Sequence, residues 1–196
     1  GAIIIEADPL NLNNARYGRL SSGYQTNGRG YAFNSEIGQG FEKWSYHLGA
    51  NYFRIGDRNS PDYFLTNTGK KEISLNAGLR YRLNRWDLKL YYSYVNQDLG
   101  LLRSSVVESG VAIINAINAD EPIIIRPFSY DINQPHQLVQ HHLGKVEGTK
   151  WYADGSNLTI RFGAQLNQRV EFDVRRNADV PIIDLDLITN DFQVEW

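Results

Sequence analysis

The sequence predicts an all-β chain, an antiparallel up-and-down meander of about eight strands. Three observations predict it. Apolar and polar residues alternate with period two over several stretches, short links alternate with long ones, and Trp and Tyr gather beside the short links.

The first strand is expected over 14–24 and the second over 29–38, where Tyr31, Phe33 and Ile37 share a phase. The third, 43–54, sets Trp44, Tyr46, Leu48, Ala50 and Tyr52 against Ser45, His47, Gly49 and Asn51. The fourth, 71–82, repeats the pattern with Ile73, Leu75, Ala77, Leu79 and Tyr81 opposite Glu72, Ser74, Asn76, Gly78, Arg80 and Arg82. No helix separates such faces, because its period is 3.6 rather than 2. The fifth, 86–98, sets Trp86, Leu88, Leu90, Tyr92 and Tyr94 against Asp87, Lys89, Tyr91 and Ser93. A sixth over 137–152 has weaker alternation. The seventh, 157–172, is clear again, with Leu158, Ile160, Phe162, Ala164 and Leu166 opposite Thr159, Arg161, Gly163, Gln165 and Asn167. In the eighth, 183–196, Ile183, Leu185 and Leu187 hold one phase while Ile188, Phe192, Val194 and Trp196 hold the other, which predicts a bulge near Leu187.

The links near 39–43, 83–85 and 153–156 are tight and carry the Gly, Asn and Asp that turns require. Those at 53–70, 99–136 and 173–182 are long, and only Thr26-Asn27-Gly28 breaks the rule. The meander therefore has a short-turn end and a long-loop end, as outer-membrane barrels do. The 99–136 link is too long for a structureless connection. Its apolar runs 111–117 and 123–128 are expected to fold over the mouth of the sheet or to form a short helix and hairpin.

Composition removes several classes. With 20 Lys+Arg against 22 Asp+Glu the net charge is −2 and the pI about 6.1, so no basic face is offered to nucleic acid. There is no cysteine, hence no disulfide framework and no thiol chemistry. No apolar run approaches the roughly 20 residues of a membrane-spanning helix. A mean hydropathy of −0.44 alongside 12 Tyr and 4 Trp still suits a transmembrane β-barrel, whose strands face lipid on one side only. The chain lacks Met at position 1 and any leader-like segment, which predicts that it begins inside a longer product. Period alone leaves three architectures open: an arc of a large barrel, a self-contained eight-stranded outer-membrane barrel with an adhesin or structural role, and a soluble sugar-binding β-sandwich.

Several motifs occur in order. Gly1-Ala2-Ile3-Ile4-Ile5-Glu6 is a small-residue pair before a β-branched run. Gln134-Pro135-His136-Gln137-Leu138-Val139-Gln140-His141-His142-Leu143 leads into the sixth strand. Gln165-Leu166-Asn167-Gln168-Arg169-Val170-Glu171-Phe172-Asp173 ends the seventh, and Pro181-Ile182-Ile183-Asp184-Leu185-Asp186-Leu187-Ile188-Thr189 opens the eighth. In this set the chain resembles the N-terminal part of the barrel of a TonB-dependent outer-membrane receptor of the type common in Bacteroidetes. The resemblance implies that residues 1–8 are the end of a plug domain and its linker, and that 9–196 are a segment of a transmembrane β-barrel of about 22 strands. It implies import of a scarce nutrient, of the iron-chelate (siderophore), cobalamin or glycan class, across the outer membrane of a Gram-negative cell. The implied partners are the lipid bilayer, the receptor's own plug domain, a TonB-type energy-coupling complex reached through that plug, and a small-molecule ligand.

Candidate residues follow from parity. Glu72, Arg80, Arg82, Arg161, Arg169 and Glu171 share the polar face and are expected to form a plug-facing wall. Trp44, Tyr81, Trp86, Trp151 and Tyr152 flank the short turns as an aromatic girdle, with Tyr52, Tyr92 and Tyr94 toward the other interface. Ligand contacts are expected in the regions 53–70 and 99–136. His136, His141 and His142 lie close in sequence with Asp131 and Glu147. Even so, His141 and His142 point to opposite faces of a strand, and no metal site is expected. The pairs Asp184/Asp186 and Glu171/Asp173 arise by strand parity, no catalytic motif is present, and neither enzymatic activity nor a cofactor is expected. Asp57, Asn59 and Asp62 with Arg54 and Arg58 read as ordinary loop composition.

Overall fold

The computed structural model describes residues 12–13, 15–105, 110–174 and 180–196. The expected plug end at 1–8 lies outside the described residues. Among the described residues the strands, in chain order, are β1 (Arg16–Gln25), β2 (Gly30–Gly40), β3 (Trp44–Ile55), β4 (Arg58–Asn59), β5 (Phe64–Leu65), β6 (Lys70–Leu83), β7 (Trp86–Gly100), β8 (His136–Trp151), β9 (Asn157–Phe172) and β10 (Ile183–Glu195), with one α-helix, α1 (Gly110–Ile117), and a 3-10 turn at Arg103–Ser105.

Eight of these strands make one antiparallel meander in the order β1-β2-β3-β6-β7-β8-β9-β10, while β4 and β5 pair separately. The sheet is open. β1 and β10 are its edges and do not pair with each other, so the eight strands do not close as a barrel. The tight links fold as the sequence predicts: Asn84 adopts φ 53° in the two-residue turn before Trp86, and Gly155 adopts φ 90° beside Asp154. Gly28, at φ 80°, leaves no room for a side chain, since a Cβ there would stand 2.5 Å from Ile55 Cγ1.

Two details depart from expectation. β10 pairs with β9 in unbroken register from Ile183↔Glu171 to Glu195↔Thr159, so there is no bulge near Leu187. The phase change is a change of side-chain chemistry along a regular strand. In the 99–136 link, α1 forms at 110–117, but residues 123–128 make no hairpin.

Cross-strand register sorts every strand residue onto one of two faces, because directly opposed residues share a side. One face carries Leu48, Leu75, Leu79, Leu88, Leu90, Val146, Ile160 and Phe162, all exposed. The other carries Ser45, Glu72, Asn76, Arg80, Asp87, Glu147, Thr149, Thr159 and Arg161. Burial runs opposite to polarity: Leu90 is 48 % exposed and Phe162 45 %, whereas Asp87 is 2 % exposed. A sheet curled toward its polar side produces this arrangement, and we call the polar side inner and the apolar side outer.

At the long-loop end the links pack on one another. Asp57, buried, accepts the backbone N–H groups of Asn67 (2.7 Å) and Thr68 (3.1 Å) on Oδ1 and of Ser129 (3.2 Å) on Oδ2. Asn67 Nδ2 donates to the carbonyls of Leu101 and Pro135, and its Oδ1 accepts from Asn133 N–H. One carboxylate bond, from Ser129 N–H, and three amide bonds thus join 56–69 to 101–135, while the other two carboxylate bonds close 57–68 on itself, which satisfies loop backbone that would otherwise be buried unpaired.

Candidate functional site

The site is the inner wall with its cap of long loops. All six expected wall residues lie on the inner face, as their register partners show: Glu72↔Gln97, Arg80↔Lys89, Arg82↔Asp87, Arg161↔Glu147, Arg169↔Val139 and Glu171↔Gln137. They are not isolated charges. Arg80 Nε lies 2.9 Å from Asp87 Oδ1, and Arg82 Nη2 lies 2.8 Å from Asp87 Oδ2. One strand further, Lys89 Nζ and Arg161 Nε each reach Glu147 at 2.7 Å, and Arg161 Nη1 continues to Glu195 on β10 at 2.8 Å. Near the long-loop end Glu72 takes Lys70 and Gln97 at 2.7 Å each, and Glu171 takes Gln137 at 2.8 Å as well as Arg169. The ladder crosses from β6 to β10, and each charge meets an opposite charge or a donor, which is the condition for holding ions on a sheltered face.

Asp87, Glu147 and Glu195 complete the wall and were absent from the expected set. Asp87 shares its parity and was legible beside it; Glu147 and Glu195 sit on the two weakly alternating strands. Their opposition to Lys89 and Arg161 emerges only once register is fixed.

The aromatic candidates divide. Trp44 stands directly opposite Tyr81 on the outer face, and Trp86 lies on the same face at the adjoining turn. Phe41 stacks on Trp44 with ring centroids 4.1 Å apart. Trp151 falls on the inner face, opposite Asn157, where the Arg82 guanidinium lies 5.6 Å from its ring centre. Tyr152 lies just past the strand, its ring 5.2 Å from that of Trp196. Parity explains Trp151: it is an odd-numbered residue on β8, and every odd residue of that strand faces inward.

The histidines are distributed among separate partners. His136 pairs with Asp98 at 2.9 Å, His141 faces Gln165 at 3.3 Å on the inner side, and His142 Nδ1 lies 2.8 Å from the Tyr92 hydroxyl on the outer side. Among the described residues no three His, Cys, Asp or Glu side chains gather. Asp184 and Asp186 lie on the outer face, with Gln168 donating to Asp186 at 3.0 Å. Asp57, within the 53–70 region, is turned into the fold as the loop hub described above, while Asn59 closes a two-point pair with Asn27 at 2.6 and 3.1 Å. Beside that pair, Asn27, Arg29, Ser60, Pro61, Phe64 and Phe128 line an open depression of about 570 Å³.

Chemically, this arrangement offers a salt-bridged polar surface on one side, an exposed apolar surface on the other, and a hydrogen-bonded loop cap at one end. No protein-family model, curated protein or solved structure matches the chain.

Proposed function

We propose that the chain is an arc of a transmembrane β-barrel, the N-terminal barrel segment of a TonB-dependent outer-membrane receptor that imports a scarce nutrient of the iron-chelate, cobalamin or glycan class. The observation that carries the membrane reading is the inverted amphipathy: Leu90 and Phe162 are exposed while Asp87 and its partner Arg80 are sheltered. In water this arrangement leaves a contiguous apolar face uncovered, an association liability; in a bilayer it matches solvent to surface. A β-sandwich needs a second sheet against the apolar face, and among the described residues the only other sheet is the two-stranded β4–β5. The two open edges favour continuation into further strands over a self-contained small barrel. The receptor assignment rests on the ordered motifs from Gly1 to Thr189. In that reading the ladder of Arg80, Asp87, Glu147 and Arg161 is the wall against which the plug docks, and no bond chemistry is performed.

Two measurements test the reading. Trp44 and Trp86 fluorescence should be quenched by phosphatidylcholine brominated on its acyl chains, and unquenched emission would sink the membrane assignment. An antibody to the 99–136 loop should then detect, in outer-membrane fractions, a product several times larger than 22.4 kDa; a heat-modifiable band near that mass would mean a small barrel instead.

A further inference from the structure

The outer face ends in a sharp change of chemistry at the long-loop end. In β3 and β6, Trp44↔Tyr81 and Arg54↔Lys71 are both register pairs on this face, ten residues apart along each strand. At ~3.3 Å per residue that is about 33 Å of strand, or about 25 Å of height at a tilt near 40°, the thickness of the apolar band of an outer-membrane barrel. Arg54 and Lys71 therefore stand at its upper edge, directly above the exposed or half-exposed Tyr52 and Ile73.

The loops add to this sector. The end of the 101–135 link crosses to the outer side, where Tyr130 packs edge-on against Tyr31 at 6.3 Å and against Phe128 at 5.0 Å. The Arg29 guanidinium lies 4.2 Å over the Phe128 ring, and that of Arg54 lies 5.8 Å from the Tyr130 ring while donating to the Tyr130 carbonyl at 2.9 Å. A guanidinium laid on a ring keeps its edge donors available. Among the described residues Arg29, Arg54 and Lys71 make no ion pair. The acids nearby are engaged or set apart: Asp57 is consumed by backbone N–H groups, Asp98 across from Lys71 is held by His136, and Asp131 is exposed beyond Tyr130. The outward carboxylates Asp184 and Asp186 lie at the far edge, on β10.

We propose that this β2–β3–β6 sector of the rim binds the phosphate-bearing headgroup of an anionic lipid, with Arg29, Arg54 and Lys71 as its donors. The inference rests on the membrane reading above. Charge complementarity selects an anion. Continuity with the apolar face below selects a lipid, because a headgroup held by Lys71 lays its acyl chains along Ile73 and Leu75.

The test uses the whole chain reconstituted in phosphatidylcholine vesicles with and without phosphatidylglycerol, and counts retained lipid by native mass spectrometry. Phosphatidylglycerol should be enriched over phosphatidylcholine, and the preference should fall about fivefold per cation removed in K71Q and in R29Q/R54Q/K71Q. D184N/D186N, at the other edge, should leave it undiminished. K71Q removes only an exposed side chain, so misfolding does not confound it. Equal retention of the two lipids by the unaltered chain overturns the inference while leaving insertion intact. Full competition by inorganic phosphate overturns it in favour of a free-anion site. Failure to enter phosphatidylcholine vesicles at all is a distinct result that removes the membrane reading and this inference with it.

Discussion

Asp87 and Arg80 are joined through both carboxylate oxygens, Arg80 Nε lying 2.9 Å from Oδ1 and 3.0 Å from Oδ2, on a side chain of Asp87 that is only 3 % exposed. Arg82 shares the same carboxylate but is 45 % exposed itself. The two arginines are therefore unequal partners. D87A removes the two-point carboxylate partner of Arg80 on a sheltered face and should cost about 3 kcal/mol, read as a lower urea midpoint. R82A removes a largely solvated partner and should cost under about 1 kcal/mol. Equal losses in the two variants would show that the wall is wetter than its burial indicates.

Leu90 lies midway between Trp86 and Tyr94 on the outer face. In a bilayer L90R places a guanidinium inside the apolar band, two residues from the Tyr81 level, at a cost of about 1–2 kcal/mol, while in water an exposed substitution shifts stability by no more than about 0.5 kcal/mol. Comparing its unfolding in vesicles with its unfolding in lipid-free buffer therefore separates the two environments, and a silent L90R in vesicles would count against lipid contact.

The junction of the two long loops depends on Asn67, which adopts φ 67° and makes three side-chain bonds. N67A loses those bonds and strains the left-handed backbone, and the loss should be about 2–3 kcal/mol confined to the cap. Limited proteolysis should then cut 101–135 faster with no change in the strands. G100A tests the same junction from below, since its Cβ would stand 2.5 Å from Asn67 O, a backbone clash worth about 1–3 kcal/mol.

The turn between β8 and β9 carries a pH dependence of its own. Ser156 donates to Asp154 Oδ1 from its hydroxyl at 2.7 Å and from its backbone N–H at 3.0 Å, and these bonds hold the Asp154 carboxyl below its ordinary range. A lowered pKa in the folded state means that the stabilisation is complete above the unfolded value, near about 3.9, and is lost as pH falls through the folded one. Amide exchange in 152–156 should accelerate in D154N relative to the parent at neutral pH, and the difference should vanish in strong acid. A difference that persists there would assign the effect to backbone geometry instead.

Much of this protein was legible in the sequence. The alternation of Trp44 to Tyr52 and of Ile73 to Tyr81 determined the strands, because a period of two admits no helix, and the Asn84 and Gly155 turns determined where they reverse. Parity also placed Arg80, Arg82, Arg161 and Glu171 on one side. Tertiary structure decided what parity cannot contain. Which charges meet depends on register between strands far apart in sequence, so the bridge from Lys89 through Glu147 to Arg161 and Glu195 is set by three pairings at once. The same register put Trp151 on the inner face. The union of the long loops through Asp57 and Asn67, and the crossing of Phe128 and Tyr130 to the outer rim, depend on contacts between segments 68 to 76 residues apart. Such contacts leave no periodic trace, because loop backbone is satisfied by whichever side chain the fold brings near it.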